Sequence, residues 1–203
     1  LGREAGLSNW VKLEVIGEGF EWCEGPAWNG QGQYLVWSDI PNNRQMRWMQ
    51  DDGRVTVFRQ PSGNSNGNTF DFQGRQLACE HLRRRVVRYE HDGSVTVIAA
   101  THDGKLLNSP NDVVPHPDGS YWFTDPPYGG EGLLRQRVGQ PADIGTAKQE
   151  LPTHVYRVDP QGKLAIAIEG GSLPGPPNGL AFSPDHKKLY VVVGGGLFVG
   201  DVA

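Results

Sequence analysis

Eight residues ahead of the turn glycines Gly32, Gly74 and Gly119 stand Glu24, Asn66 and Asn111, each carrying a side-chain oxygen. A fourth, Asn178, holds the corresponding place ahead of Asp185-His186. One carboxylate and several amide oxygens, with no His or Cys at the repeated position, form the donor set of a hard cation. Ca2+ takes about six to eight oxygen ligands and accepts amide carbonyls, whereas Mg2+ demands stricter geometry and Zn2+ recruits nitrogen or sulfur. A single Asn before a strand serves as a turn former; four polar residues in register point to a shared site. A second series, Asp39, Glu80 and Asp125, lies at equivalent strand ends. Asp125, just before Pro126-Pro127, is the candidate general base at a channel mouth, with a structural turn role as its equal alternative. Asn66, Glu80 and His81 are candidate contacts to a substrate; His81 is placed to reach hydroxyls, with a satisfied surface histidine as the alternative.

Residues in such register need a repeating frame. The repeat reads Gln31-Gly32-Gln33 followed by Tyr34-Leu35-Val36-Trp37, then Asp52-Gly53; Gln73-Gly74 with Gln76-Leu77-Ala78-Cys79, then Asp92-Gly93; Asp118-Gly119 with Tyr121-Trp122-Phe123-Thr124, then Gln161-Gly162. The anchors recur every 40 to 45 residues, which is the length of a four-stranded propeller blade. The fold class is therefore all-β, a β-propeller in one domain spanning residues 1–203. Blade-like repeats fall at about 20–60, 61–105, 106–170 and 171–203. The first strand of each blade lines the central channel, so Glu24, Asn66, Asn111 and Asn178 converge on the axis. The third unit is stretched by Gly129 to Pro152, read as a long loop leaving one face. The tail from Gly194 to Ala203 does not continue the fourth blade.

Composition agrees with a turn-dense β-chain: 28 glycines and 15 prolines in 203 residues, about a fifth of the chain against roughly an eighth in average usage. A net charge of −4 with no long basic run excludes a nucleic-acid groove as the main partner surface; Arg83-Arg84-Arg85 reads as strand-edge charge. No apolar run reaches the roughly 20 residues of a membrane span. The chain reads as soluble, with its compartment unknown and cytoplasmic slightly ahead of periplasmic. It begins at Leu1, which leaves a removed targeting segment open. Cys23 and Cys79 read as two buried thiols rather than a bridge. Serine-hydrolase elbows, zinc-protease helices, P-loops and dinucleotide fingerprints are absent from the sequence.

Several segments, taken in order, resemble the SMP-30/gluconolactonase family: Glu24-Gly25-Pro26, Asn108-Ser109-Pro110-Asn111-Asp112-Val113-Val114, Phe123-Thr124-Asp125-Pro126-Pro127-Tyr128-Gly129 and Pro177-Asn178-Gly179-Leu180-Ala181-Phe182. Gly67-Asn68-Thr69-Phe70-Asp71-Phe72-Gln73-Gly74-Arg75, with Cys79-Glu80-His81, is similar to the bacterial gluconolactonase-like branch. The resemblance covers roughly residues 20 to 193. It implies a six-bladed propeller holding a divalent metal, most often Ca2+, and hydrolysing sugar lactones, with Glu24 and Asn178 as metal ligands and Asn111 facing both metal and substrate. The family's remaining ligand is an Asp of a later blade, and about four blades are represented here. The chain accordingly reads as part of a larger ring. The expected partner is a small lactone, with no nucleic acid and no membrane; the alternatives are a Ca2+-dependent esterase or phosphotriesterase-type propeller, or a binding propeller with a structural ion.

Overall fold

A computed structural model describes residues 13–129 and 148–202, so residues 130–147 of the expected long loop lie outside the described residues. Four antiparallel sheets follow one another along the chain. The first holds β1 (Cys23–Asn29), β2 (Tyr34–Asp39), β3 (Arg44–Met49) and β4 (Val55–Arg59); the second holds β5 (Ser65–Phe70), β6 (Gln76–Glu80), β7 (Arg85–Tyr89) and β8 (Val95–Ala99). A short hairpin of β9 (Thr101–His102) and β10 (Lys105–Leu106) precedes the third sheet, β11 (Val113–Pro115), β12 (Tyr121–Thr124), β13 (Val155–Val158) and β14 (Leu164–Ile168). The fourth is three-stranded: β15 (Pro177–Phe182), β16 (Lys188–Val193) and β17 (Gly196–Asp201). In each sheet the strands are hydrogen-bonded in chain order, and the inner strands β1, β5, β11 and β15 lie side by side in sequence. This is a propeller with four blades represented and no α-helix among the described residues.

The hairpins form where a side chain and a left-handed residue cooperate. Asp71 Oδ1 accepts from the backbone N–H of Gln73 and of Arg75, both at 2.9 Å, and Gly74 adopts φ +77°. Asp159 repeats this with Gln161 and Lys163 around Gly162 at φ +83°. In the first blade the left-handed residue is Gln33 rather than the expected Gly32, whose N–H is held by Asn29 Oδ1. The tail also departs from expectation. Gly196–Asp201 pairs with β16 along its whole length, from Val193↔Gly196 to Lys188↔Asp201, because Gly194 at φ +54° turns the chain back after Val193.

The faces between blades carry the core. Leu77, Cys79, Val86, Leu107, Val113, Phe123 and Tyr156 bury one cluster between blades two and three. Leu180, Leu189, Val191 and Val193 join Val155 in another between blades three and four. Between blades one and two a buried polar network joins apolar contacts such as that of the Tyr34 and Phe70 rings at 6.0 Å. Gln45 Nε2 donates to Asn68 Oδ1 at 3.0 Å, Gln76 Nε2 donates to Gln45 Oε1 at 3.2 Å, and Asn68 Nδ2 donates to Ser38 Oγ at 2.9 Å and to the Gly25 carbonyl at 3.0 Å. Such a network fixes the relative placement of two sheets more narrowly than apolar contact, because each misplacement strands a buried polar group.

Two smaller expectations are corrected. Both cysteines are free, but only Cys79 is buried; Cys23 is exposed. Arg84 is a buried tie and not edge charge: its Nε donates to the carbonyls of Leu107 and Asn108, and its guanidinium pairs with Glu150 at 3.2 Å. No helix among the described residues is long and apolar enough to cross a membrane.

Candidate functional site on the propeller axis

Three of the four axial residues sit where their inner strands depart from regular pairing, and Asn111 lies just ahead of β11. Register shifts fall between Glu24 and Ala27, Ser65 and Asn68, and Pro177 and Leu180, and a bulge of this kind re-aims side chains. The residue that follows is Gly25, Gly67 or Gly179, with Asp112 in the third blade. Close backbone approach explains two of the glycines. A Cβ on Gly25, which adopts φ +56°, would lie 2.3 Å from the Asn66 carbonyl oxygen, and a Cβ on Gly67 would lie 2.5 Å from the Asn111 carbonyl oxygen. That closeness permits direct ties between blades: the Gly67 N–H donates to the Asn111 carbonyl at 2.7 Å, Ser38 Oγ donates to the Asn66 carbonyl at 2.8 Å, and Thr124 Oγ1 donates to the Asn178 carbonyl.

With their backbones tied in this way, Glu24, Asn66, Asn111 and Asn178 line one cavity of about 220 Å3, walled also by Trp22, Ile40, His81 and Tyr128. The same four border a second space of about 240 Å3 further along the axis, with Asn68 and Asp112. Glu24 Oε1 accepts from the Trp22 indole N–H at 3.1 Å. The side-chain amides of Asn66, Asn111 and Asn178 make no hydrogen bond among the described residues, although Asn66 and Asn111 are buried. Amides held in a concave wall without protein partners are available to a ligand. No three His, Cys, Asp or Glu side chains gather closely enough among the described residues to hold a metal. One carboxylate with neighbouring amide oxygens therefore fits a hard cation and not a zinc-type one.

His81 is 7% exposed and lines the same cavity, and neither of its ring nitrogens has a hydrogen-bond partner. Burial pushes its pKa down to about 4, partly offset by the Pro110 carbonyl, which approaches the ring outside hydrogen-bond geometry. The imidazole is thus uncharged at neutral pH. Asp112, which the sequence reading passed over beside Asn111, is pushed up to about 6 by burial and by the charge of Glu24, against backbone N–H groups of Leu180 at 3.0 Å and Val113 at 2.9 Å. Its position one residue after a repeated axial Asn was the available signal.

The strand-end carboxylates stand elsewhere. Glu80 is buried away from the cavity, paired with Arg85 at 2.7 Å and accepting from the Tyr89 hydroxyl at 3.3 Å. Asp39 makes the equivalent pair with Arg44 at 2.8 Å. Asp125 does not reach the channel mouth; its Oδ2 accepts from the Asn108 N–H at 2.8 Å beneath the loop leading to Asn111, and it does not line the cavity. The physical reason is shared by all three. A carboxylate at this strand end turns away from the axis to hold backbone or a neighbouring arginine, Asp39 and Glu80 in the turn beside them and Asp125 in the segment before Asn111, whereas the next residue in the first two blades, Ile40 or His81, faces the axis. Burial pushes the Asp125 pKa up to about 7, against the N–H groups of Asn108 and Ser109 and the charge of Arg84.

Known proteins share this arrangement. A family profile described as "SMP-30/Gluconolactonase/LRE-like region" matches residues 22–193. A gluconolactonase of Zymomonas mobilis is 34% identical over 193 residues, covering 88% of this chain and 51% of that protein. A lactonohydrolase of Aspergillus oryzae is 28% identical over 99 residues, covering 49% of this chain and 20% of that protein. Among solved structures, a gluconolactonase of Xanthomonas campestris superposes with a TM-score of 0.76 at 38% identity, covering 91% of this chain and 59% of that one. A calcium-binding regucalcin of Agrobacterium tumefaciens superposes with a TM-score of 0.66 at 20% identity, covering 93% and 57%, a likeness of fold alone. The chain spans about half the length of the curated gluconolactonase that it matches. From the extent of the match and the axial residues within it, the chain belongs to the SMP-30/gluconolactonase/LRE-like family.

Proposed function

We propose that this chain carries the axial site of a lactone hydrolase that opens a sugar lactone with water. The observation that carries the reading is the single cavity in which Glu24 and the unengaged amides of Asn66, Asn111 and Asn178 face one another. Glu24, Asn111 and Asn178 would hold a divalent cation, Ca2+ by the chemistry of the donors. When bound, such an ion polarises a carbonyl oxygen and acidifies water. Asn66 and His81 offer hydrogen bonds to the ring hydroxyls of a sugar, and Asn111 stands where it contacts cation and substrate alike. Ile40 and Trp22 supply apolar wall against which a sugar ring packs. The gluconolactonase names of the relatives that exceed 30% identity support a lactone over other esters. Glu80, engaged in its turn, and Asp125, engaged with the segment before Asn111, serve the site by holding the backbone around it.

The test is proton release from glucono-1,5-lactone in a pH-stat, on chelator-stripped chain before and after Ca2+ is added, corrected for spontaneous hydrolysis. Turnover that appears with Ca2+ is the expected result. Ca2+ binding by calorimetry with no turnover of this lactone or of a simple aryl ester would replace the reading with that of a binding propeller. Absence of Ca2+ binding would remove the cation from the site.

A further inference from the structure

We propose that His81 is the proton carrier of the axial cavity, taking a proton from the water that attacks the lactone carbonyl and returning it to the ring oxygen that departs. The inference rests on the lactone-hydrolase reading and deepens it. It starts from a position where the fold asks for no polar group. Ile40 and His81 each follow the strand-end carboxylate of their own blade, and both face the cavity. Ile40 shows that an apolar side chain satisfies this position. His81 instead lines it with an imidazole whose two ring nitrogens are buried and without a hydrogen-bond partner. Buried polar groups are almost always paired in folded proteins, so an orphaned N–H and an orphaned acceptor nitrogen on one ring in a cavity wall mark a place for a ligand that accepts at one and donates at the other.

The ring is held from behind. A Cβ added at Gly129 would lie 2.9 Å from the His81 Cγ and 2.8 Å from the Ser109 Cβ, so this glycine closes against both side chains. Ser109 is fixed in turn, accepting from the Gly129 N–H at 2.9 Å and donating to the Pro126 carbonyl at 2.6 Å. The imidazole therefore meets the cavity in a set orientation, as a proton-transfer group must.

The other titratable groups of the wall are unsuited. Glu24 accepts from the Trp22 indole and belongs to the cation. Tyr128 presents a phenolic hydroxyl, a donor at neutral pH, 3.5 Å from the Pro176 carbonyl. Asp125 and Glu80 lie outside the cavity. Burial keeps the His81 ring unprotonated at neutral pH and thus able to accept.

The step balances without a further reactant. An O–H bond of water breaks and its proton passes to an unprotonated ring nitrogen of His81, while the water oxygen bonds to the carbonyl carbon and the π pair moves onto the carbonyl oxygen, returning to C=O when the ring C–O bond breaks. The lactone C–O bond then breaks, and the departing oxygen takes the proton from the imidazolium. Lactone and water become the hydroxy acid, and His81 ends as it began.

The test compares His81→Gln and His81→Ala with the wild-type chain, in turnover of glucono-1,5-lactone and in calorimetric binding of glucono-1,5-lactam, a mimic that resists hydrolysis. Both variants are expected to lose about 100-fold or more in kcat, the usual worth of a positioned base. His81→Gln keeps hydrogen-bonding capacity, so its lactam affinity is expected to stay within about threefold of wild type. Free imidazole is expected to restore turnover in part to His81→Ala. In the wild-type chain, saturation with lactam is expected to shift the 15N resonances of the His81 ring. A kcat in His81→Gln within about threefold of wild type, with KM alone raised, would overturn the inference and leave His81 a reader of hydroxyls. Ring resonances unmoved by saturating lactam would overturn it as well, whatever the variants do. No turnover by the wild-type chain with Ca2+ is the failure of the underlying reading, and is distinguished from these by coming before any substitution.

Discussion

Replacing Asp125 with Asn should make the protein relatively more stable as pH rises. The carboxyl is fully buried, one oxygen accepts the Asn108 N–H, and the other has no partner. Burial lifts its pKa from 3.8 to about 7. A folded-state pKa above the unfolded value means that the stability linked to this group is complete below pH 3.8 and is lost as pH climbs through about 7. At about 1.4 kcal/mol per unit, holding the charge costs roughly 4 kcal/mol at pH 8 and under about 2 kcal/mol at pH 5. The Asn side chain keeps an acceptor for the Asn108 N–H and has no charge to desolvate. Urea unfolding of both proteins at pH 5 and pH 8 should therefore show the variant gaining about 2.5 kcal/mol on the wild type between the two pH values. His81 titrates with the opposite sign, since its lowered pKa removes stability as pH falls from 6.5 through about 4. It is common to both proteins and cancels in the difference. A variant and a wild type whose stabilities change in parallel, within about 0.5 kcal/mol, would show that Asp125 is not desolvated as described.

Four further substitutions probe the frame and the cavity. Gly67→Ala sets a Cβ against the backbone of Asn111 and Asp112, which cannot swing aside, and should cost about 3 kcal/mol by thermal unfolding, while Gly200→Ala, with open space around it, should change stability by less than about 0.5 kcal/mol. Asn68→Ala takes one hydrogen bond each from Gln45, Gln76, Ser38 and the Gly25 carbonyl between blades one and two, and should cost about 3 kcal/mol in urea; a loss under about 1 kcal/mol would mean the network closes without it. Glu24→Ala should weaken Ca2+ binding at least about tenfold by calorimetry, and unchanged affinity would take Glu24 out of the site.

The blades were legible in the sequence because turn chemistry is local. Asp71 and Asp159 accept from N–H groups within four residues, so spacing alone reveals them. The axial register was legible for the same reason, since Glu24, Asn66, Asn111 and Asn178 stand at a fixed distance from a turn. What escaped depends on the neighbouring blade. Asn68 reads as a strand residue, yet its partners lie 23, 30 and 43 residues away in the first blade. The burial of Arg84 needs the carbonyls of Leu107 and Asn108, 23 and 24 residues downstream. Asp125 reads as near the channel mouth from its place at a strand end before Pro126-Pro127, and that place cannot say whether a side chain turns inward or tucks beneath a loop. Glu80 and His81 illustrate the difference: neighbours at one strand end, the first held in the turn and the second facing the axis.

The ties between inner strands have a consequence for how such a protein changes over time. At Asn66, Asn111 and Asn178 the main-chain carbonyl joins one blade to another, while the side chain of the same residue faces the cavity and is claimed by nothing in the frame. Architecture and chemistry are thus written on separate atoms of a single residue. A codon change at any of these three positions alters the donors offered to a ligand and leaves the joint between blades in place. The axis of this propeller is a set of exchangeable fittings on a fixed mount, open to a new substrate by one substitution at a time.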